Sequence, residues 1–244
     1  MQKTLWTALL LTVLGVAGGV WWLYSSLDGV VAAAIRSYGP EITGVSVQLE
    51  SVKISPTDGT AAVRGLEIGN PQGFHTARAL SMGEVSMELD VASLTKDLVH
   101  VKRLWIEKPE ITYEYAPSGS NLDLLLRHVQ AYIAENAGAP EAGKGKAGEK
   151  RLVIDHLYIK GAHAQVSAEV LQGKTLRVPV PDLHLTDIGK KTKGVSPAEA
   201  TRQVLGALIQ SVGKAVAPLH LEGVAGRVKK VGLSAADAIQ GLFK

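Results

Sequence analysis

Val45 to Phe74 reads VSVQLESVKISPTDGTAAVRGLEIGNPQGF. Val45, Val47 and Leu49 alternate with Ser46, Gln48 and Glu50, the period of a strand with one face in a core. The apolar phase then slips, and Val52 and Ile54 resume it. Such a slip predicts a bulge, or a bend between two short strands. Pro56 to Gly59 (PTDG) is a turn signal, Ala62-Val63-Arg64 and Leu66-Glu67-Ile68 make the next strand, and Asn70 to Phe74 (NPQGF) turns again.

Downstream the period of two persists. Val85, Met87 and Leu89 alternate, then Val99 and Val101, Leu104 and Ile106, and Ile111, Tyr113 and Tyr115. SGSN (Ser118 to Asn121) opens a helix, with Asn121 as its expected N-cap and Leu122, Leu125, Leu126, Val129 and Ile133 on one face. Ala137 to Lys150 (AGAPEAGKGKAGEK) has no periodicity and reads as a flexible Lys/Gly-rich loop. Strands return at Leu152, Ile154, Leu157 and Ile159, and at Val166. Leu176, Val178 and Val180 follow, and Pro179 and Pro181 predict an edge strand there. Ser196-Pro197 starts a helix whose stripe runs Val204, Leu205, Leu208, Ile209, Val212, Val216. That stripe suits packing on the chain's own sheet better than a membrane surface. Val99 to Glu114 (VHVKRLWIEKPEITYE) and Leu152 to Ser167 (LVIDHLYIKGAHAQVS) form a weak repeat, offset by 53 residues, of the kind that lets one sheet edge extend another.

Upstream, Thr4 to Tyr24 (TLWTALLLTVLGVAGGVWWLY) is an uncharged run of 21 residues. In a helix it spans roughly 30 Å, the hydrocarbon thickness of a bilayer. A cleaved signal peptide has a shorter apolar region, of about 7–15 residues, and a small-residue end. This run closes on Trp21, Trp22 and Tyr24, which suit a membrane interface. The reading is a retained single-span anchor, with Leu5, Leu9 and Leu14 in the bilayer. Flanking charges nearly tie, and the short N-terminal tail favours an N-in orientation. Val30, Val31, Ala34, Ile35 and Tyr38 then recur at helical spacing, and Gly39-Pro40 is expected to stop a short helix from about Asp28 to Tyr38.

Composition excludes several function classes. The chain has 244 residues, a net charge of +3, two Phe and no Cys. Basic residues are dispersed, without the dense stripe and stacking aromatics of a nucleic-acid reader. Thiol chemistry and thiolate metal sites are ruled out. The seven His (His75, His100, His128, His156, His163, His184, His220) never fall at i,i+4 on one helix, and there is no HExxH, GxSxG, P-loop or SxxK. The nearest polar cluster, Asp182, His184 and Asp187 beside Asp155-His156, reads as a strand end and turn. Gly143 to Gly148 (GKGKAG) matches GxGxxG literally, yet lacks the strand before it and the helix after it. Lys144, Lys146, Lys150 and Arg151 are the candidates for touching anionic headgroups or a partner, against a solvated loop as the plainer reading. No catalytic residue, metal ligand set or cofactor is expected.

In order along the chain stand the anchor, YGPEITG (Tyr38 to Gly44), Val45 to Phe74, VSMELDVASL (Val85 to Leu94), LWIEKPEITYE (Leu104 to Glu114) and GSNLDLLL (Gly119 to Leu126). The stretch Leu152 to Gly189, with VPVPDLHLTDIGK, continues the pattern. Together these resemble AsmA-like proteins, which are similar to chorein-type bridge proteins. The resemblance implies a single-pass protein of a Gram-negative inner membrane, with its domain in the periplasm. It also implies an apolar β-groove for phospholipid acyl chains, in envelope lipid homeostasis or transport. The groove candidates are Val47, Leu49, Val52, Ile54, Val85, Met87 and Leu89. The chain is too short to bridge a periplasm as one copy. The alternative is a non-enzymatic structural or assembly subunit of an envelope membrane complex, with a protein partner or a homo-oligomer. The expected fold is α+β: an N-terminal transmembrane helix, then a curved, mostly antiparallel β-sheet with amphipathic helices. Its parts are the tail and anchor (1–27), an AsmA-like β-rich domain (28–136), the loop (137–150), a continuation of the sheet (151–190) and a C-terminal helical segment (191–244).

Overall fold

The computed structural model describes residues 27–116, 119–136, 150–168 and 175–219. The anchor residues Leu5, Leu9, Leu14, Trp21, Trp22 and Tyr24 lie outside them. Among the described residues no helix is long and apolar enough to cross a membrane.

The fold is α+β. Eleven strands form one sheet: β1 (Val47–Gln48), β2 (Ser51–Ser55), β3 (Thr60–Gly69), β4 (Arg78–Leu89), β5 (Leu98–Glu107), β6 (Glu110–Ala116), β7 (Gly119–Ser120), β8 (Arg151–Lys160), β9 (His163–Ala168), β10 (Leu176–Pro179) and β11 (Leu183–Ile188). Among the described residues three α-helices accompany it: α1 (27–43), α2 (Asn121–Asn136) and α3 (Pro197–Val216). The sheet is mixed, and two parallel junctions, β5 with β8 and β6 with β9, join its halves. Every other strand pairing among the described residues is antiparallel.

The repeat explains the parallel junctions. Val99 pairs with Leu152, Trp105 with Tyr158, Ile106 with Ile159, and Ile111 with Ala164, so both junctions keep the 53-residue offset of the sequence repeat. The two copies lie side by side, in register. Each breaks at the same point. Lys108 (φ 48) and Gly161 (φ 63) both adopt left-handed backbone there. The Lys108 N–H donates to Lys160 O at 2.7 Å, and the His163 N–H to Pro109 O at 3.1 Å.

That break belongs to a seam crossing the sheet. It runs from Leu49-Glu50, between β1 and β2, through Gly65 in β3 and Gly83 in β4, to Lys108-Pro109, Gly161-Ala162 and Val180-Pro181. At Gly65 (φ 61) a Cβ would stand 2.4 Å from the Glu50 side chain, so both the dihedral and the close approach require glycine. The phase slip after Leu49 is the first stitch of this seam. A long strand therefore pairs as two arms: β4 meets β5 through Val85 to Leu89 and β6 through Leu80 and Ser81.

Both sheet edges are guarded. The Ile54 N–H donates to Asp28 Oδ1 at 2.8 Å, and Arg36 Nη2 donates to Leu49 O at 3.0 Å, so α1 runs along the β1–β2 edge and satisfies two of its open backbone groups. Gly39-Pro40 does not stop α1, contrary to the expectation from sequence. The helix continues to 43, with Ile42 and Thr43 buried, and ends at Gly44 (φ 68), whose N–H donates to Pro40 O at 2.9 Å. The opposite edge is β10, placed there as Pro179 and Pro181 predict, with β11 beyond the seam.

One hydrophobic cluster fills the space between one sheet face and the helices. α2 packs on α3 and on β6, and α3 packs on β8, β10 and β11. Ser196 caps α3 by accepting from the Glu199 N–H at 3.1 Å, ahead of Pro197 at its first turn. Leu157, 2% exposed, sits in the middle of the cluster on the second repeat copy. Leu157→Ala is expected to cost about 2–5 kcal/mol in chemical denaturation. A loss below about 1 kcal/mol would contradict this core assignment.

Candidate functional site

Registered partners on neighbouring strands share a face, so the pairings trace rows across the sheet. One row runs Val52, Val63, Val85, Ile106, Ile159, Leu183. The next runs Ile54, Ala61, Met87, Leu104, Leu157, Leu185. A third holds Leu89, Val101, Ile154 and Ile188. Beyond the seam, Val47, Ile68, Leu80, Ile111, Ala164 and Val178 make a fourth. The result is an apolar face unbroken across six strand positions.

Six of the seven groove candidates lie on these rows, and Leu49 lies at the seam. Leu49, Val52, Val85 and Leu89 are buried in the hydrophobic cluster, and Val47 is buried outside it, close against Gly39 of α1. Ile54 and Met87 are half-buried, as is Leu104 between Met87 and Leu157. A groove open along all seven residues is therefore not what the chain presents. The accessible part of the face is the row through Ile54, Met87 and Leu104. The helices that pack on the sheet, α2 and α3, lie toward β6 and the β8–β11 end.

The quoted motifs converge on one buried polar knot. Asn121, fully buried, accepts from the Glu114 N–H at 2.9 Å and donates to Asn70 Oδ1 at 2.7 Å and Thr112 O at 2.8 Å. Asn70 donates to Thr76 O at 2.9 Å. Glu114, whose side chain is 7% exposed, accepts from the backbone N–H groups of His75 (2.7 Å) and Thr76 (3.0 Å) and from Thr76 Oγ1 (2.7 Å). NPQGF, EITYE and GSNL are thus three sides of one clamp that pins the β3–β4 loop to β6 and α2. Asn121 is not the N-cap of α2. That role falls to Ser120, whose Oγ accepts from the Asp123 N–H at 3.1 Å while Asp123 reaches back, a capping box.

The polar cluster runs along β8 and β11, with Asp182 just before β11 and Asp187 near its end. Asp155 Oδ2 contacts His100 Nε2 at 2.8 Å, and Lys190 forms ion pairs with Asp155 (3.1 Å) and Asp187 (2.6 Å). Burial pushes the Asp155 carboxyl up, but His100 and Lys190 outweigh it and hold it below its ordinary value. The hydrogen bond from Lys190 lowers Asp187, and Lys190 is raised in turn. Asp182 Oδ1 accepts from the Gly161 N–H at 2.9 Å, at the seam. Each of these carboxylates faces a cation or donor of the chain itself, and buried Asp155 Oδ1 has the Lys190 ion pair without a hydrogen bond. Among the described residues no group of three or more His, Asp or Glu side chains converges as a metal cage.

The headgroup candidates divide. Lys144 and Lys146 lie outside the described residues. Lys150 donates to Leu94 O (3.0 Å) and Lys96 O (2.7 Å), closing the turn after a short 3-10 segment at Val91–Ser93, so its ammonium is engaged with backbone. Arg151 begins β8 and its N–H donates to Asp97 O at 2.7 Å. Alternation alone did not single out the opposite face of the sheet. There Trp105 stacks on Tyr158 with centroids 6.3 Å apart, and Tyr158 on His184 at 4.3 Å. The matching trios of the two repeat copies, Leu104-Trp105-Ile106 and Leu157-Tyr158-Ile159, held the available signal for it.

No protein-family model and no curated protein matches this chain. The resemblance to AsmA-like proteins accordingly rests on the quoted motifs.

Burial raises the Glu114 carboxyl, but the His75 and Thr76 donors outweigh it, and its net pKa is lowered. A lowered folded pKa contributes stability above the unfolded value, about 4.3 for a glutamate, and that contribution is lost as pH falls through the folded pKa. Glu114→Gln is expected to cost about 1–3 kcal/mol at neutral pH, by under-satisfying buried donors. It is also expected to flatten the acid limb of the stability curve. Acid unfolding identical to that of the unaltered chain would show that the clamp carries no charge.

Proposed function

We propose that this chain is a membrane-anchored, periplasmic AsmA-like module of a Gram-negative inner membrane, acting in envelope lipid homeostasis or transport. It contacts phospholipid acyl chains along the apolar face of a curved sheet, and it is not an enzyme. The observation that carries this reading is the set of apolar rows unbroken across six strand positions of a sheet that does not close on itself. An acyl chain laid on the accessible part of that face meets Ile54 of β2, Met87 of β4 and Leu104 of β5. Ten buried methylenes contribute roughly 8 kcal/mol before ordering costs. The half-buried row through Ile54, Met87 and Leu104 is the point of contact. The buried candidates Val47, Leu49, Val52, Val85 and Leu89 form the floor that holds its shape.

A second reading draws on a different observation. α2 and α3 pack on the same face, and α1 covers the β1–β2 edge, so much of the sheet is satisfied within the chain. A self-contained module of this kind also suits a structural or assembly subunit.

Photocrosslinking in cells separates the two. A benzophenone side chain at Met87 or Leu104 is expected to capture phospholipid, and one at fully buried Val166 is not. Capture of a stoichiometric protein at Met87 and Leu104, with no lipid adduct, would replace the first reading with the second.

A further inference from the structure

From the outer face of the sheet we infer a site for a single borderline-soft divalent cation of the Zn2+ class, held by His156 and His184. β8 and β11 bring the two together: His156 pairs with Thr186 and His184 with Tyr158, so the two imidazoles are diagonal neighbours on one face. His156 Nδ1 and His184 Nε2 stand 3.2 Å apart. Two imidazole nitrogens bound to one Zn2+ at about 2.0–2.1 Å with a tetrahedral angle are about 3.3 Å apart. The pair already has the separation that the ion imposes.

The rings are also held in place. His184 stacks on Tyr158 with centroids 4.3 Å apart and planes 12° from parallel, and the His156 ring lies 5.3 Å from that of His184. A direct hydrogen bond between the two nitrogens needs one proton on one ring. A cation that takes the place of that proton keeps both nitrogens where they are and uses both lone pairs. Both side chains are exposed, so water completes the coordination sphere. Nearby charges have other partners: Arg103 beside His156 is paired with Glu88, and Asp187 with Lys190. Lys160 has its ammonium over the Tyr158 ring, 5.5 Å from the ring centre. The consequence is mechanical. The cation ties β11 to β8, and it stabilises the fold because the unfolded chain does not hold the two imidazoles together. This site is independent of the lipid reading.

Zn2+ titrated calorimetrically into the detergent-solubilised full chain tests it. Expected is one saturable site per chain, weakened at least tenfold in His156→Gln and equally in His184→Gln, and unchanged in His163→Gln. Heat resistance should rise with Zn2+ in the unaltered chain and in His163→Gln only. The two test residues are exposed, and circular dichroism without Zn2+ checks that their variants fold. Affinities unchanged by either substitution, or no saturable binding by the unaltered chain, would overturn the proposal.

Discussion

Two parallel strand pairings hold this molecule together. Without β5 on β8 and β6 on β9, the sheet of residues 47–116 would part from two two-stranded pairs, β8 with β11 and β9 with β10, which meet the sheet only through these junctions. Antiparallel neighbours can be joined by a tight turn, but parallel ones need a long crossover. Here α2 lies within that crossover, and it packs back on β6 and on α3. The helix is thus placed by the need to bring the second repeat copy alongside the first. The seam has the same origin. Two copies stacked in register must break at the same residue, and Lys108 and Gly161 do, in the same left-handed conformation. Gly161 adopts it freely, whereas for Lys108 it costs roughly 1–2 kcal/mol, which the surrounding ladder must offset.

The apolar rows follow from that register. A slip of one residue at β5–β8 would send the inward set Leu157 and Ile159 to the outer face and bring Tyr158 into the core. Register therefore fixes both surfaces at once. The inner one is aliphatic, and the helices close much of it. The outer one carries the Trp105–Tyr158–His184 stack. The polar knot at Glu114 and Asn121 fastens the same assembly from the loop side, where the β3–β4 connection would otherwise hang free of β6.

Much of the fold was legible in the sequence, because alternation is a direct record of a half-buried strand. The strands around Val52, Val63, Val85, Ile106, Ile111 and Ile159, the edge position of Pro179 and the start of α3 at Ser196-Pro197 all stand where the pattern puts them. The repeat was visible, but its direction was not, since hydrophobic period carries no information on parallel against antiparallel pairing. Gly39-Pro40 misled because a proline within a helix leaves only the carbonyl of residue i−4 without its donor, and the turn that follows can still close. Here the Thr43 hydroxyl and the Gly44 N–H bond back to Gly39 O and Pro40 O. Asn121 misled because a buried side chain with three strand and loop partners outcompetes a cap that Ser120 supplies as well. The groove was the least legible feature. Alternation marks which residues face inward, but not whether a lipid or the chain's own helices meet them there.

Cysteine crosslinking reads the parallel, in-register stacking of the repeat without background, because the native chain has no Cys. Neighbouring strands lie about 4.8 Å apart, within disulfide reach. Cysteines placed pairwise at Val99 and Leu152, and at Trp105 and Tyr158, should both oxidise readily. The crossed pairs, Val99 with Tyr158 and Trp105 with Leu152, should not, since six residues along a strand separate them by roughly 20 Å. Efficient crosslinking of the crossed pairs, or of none of the four, would contradict the account.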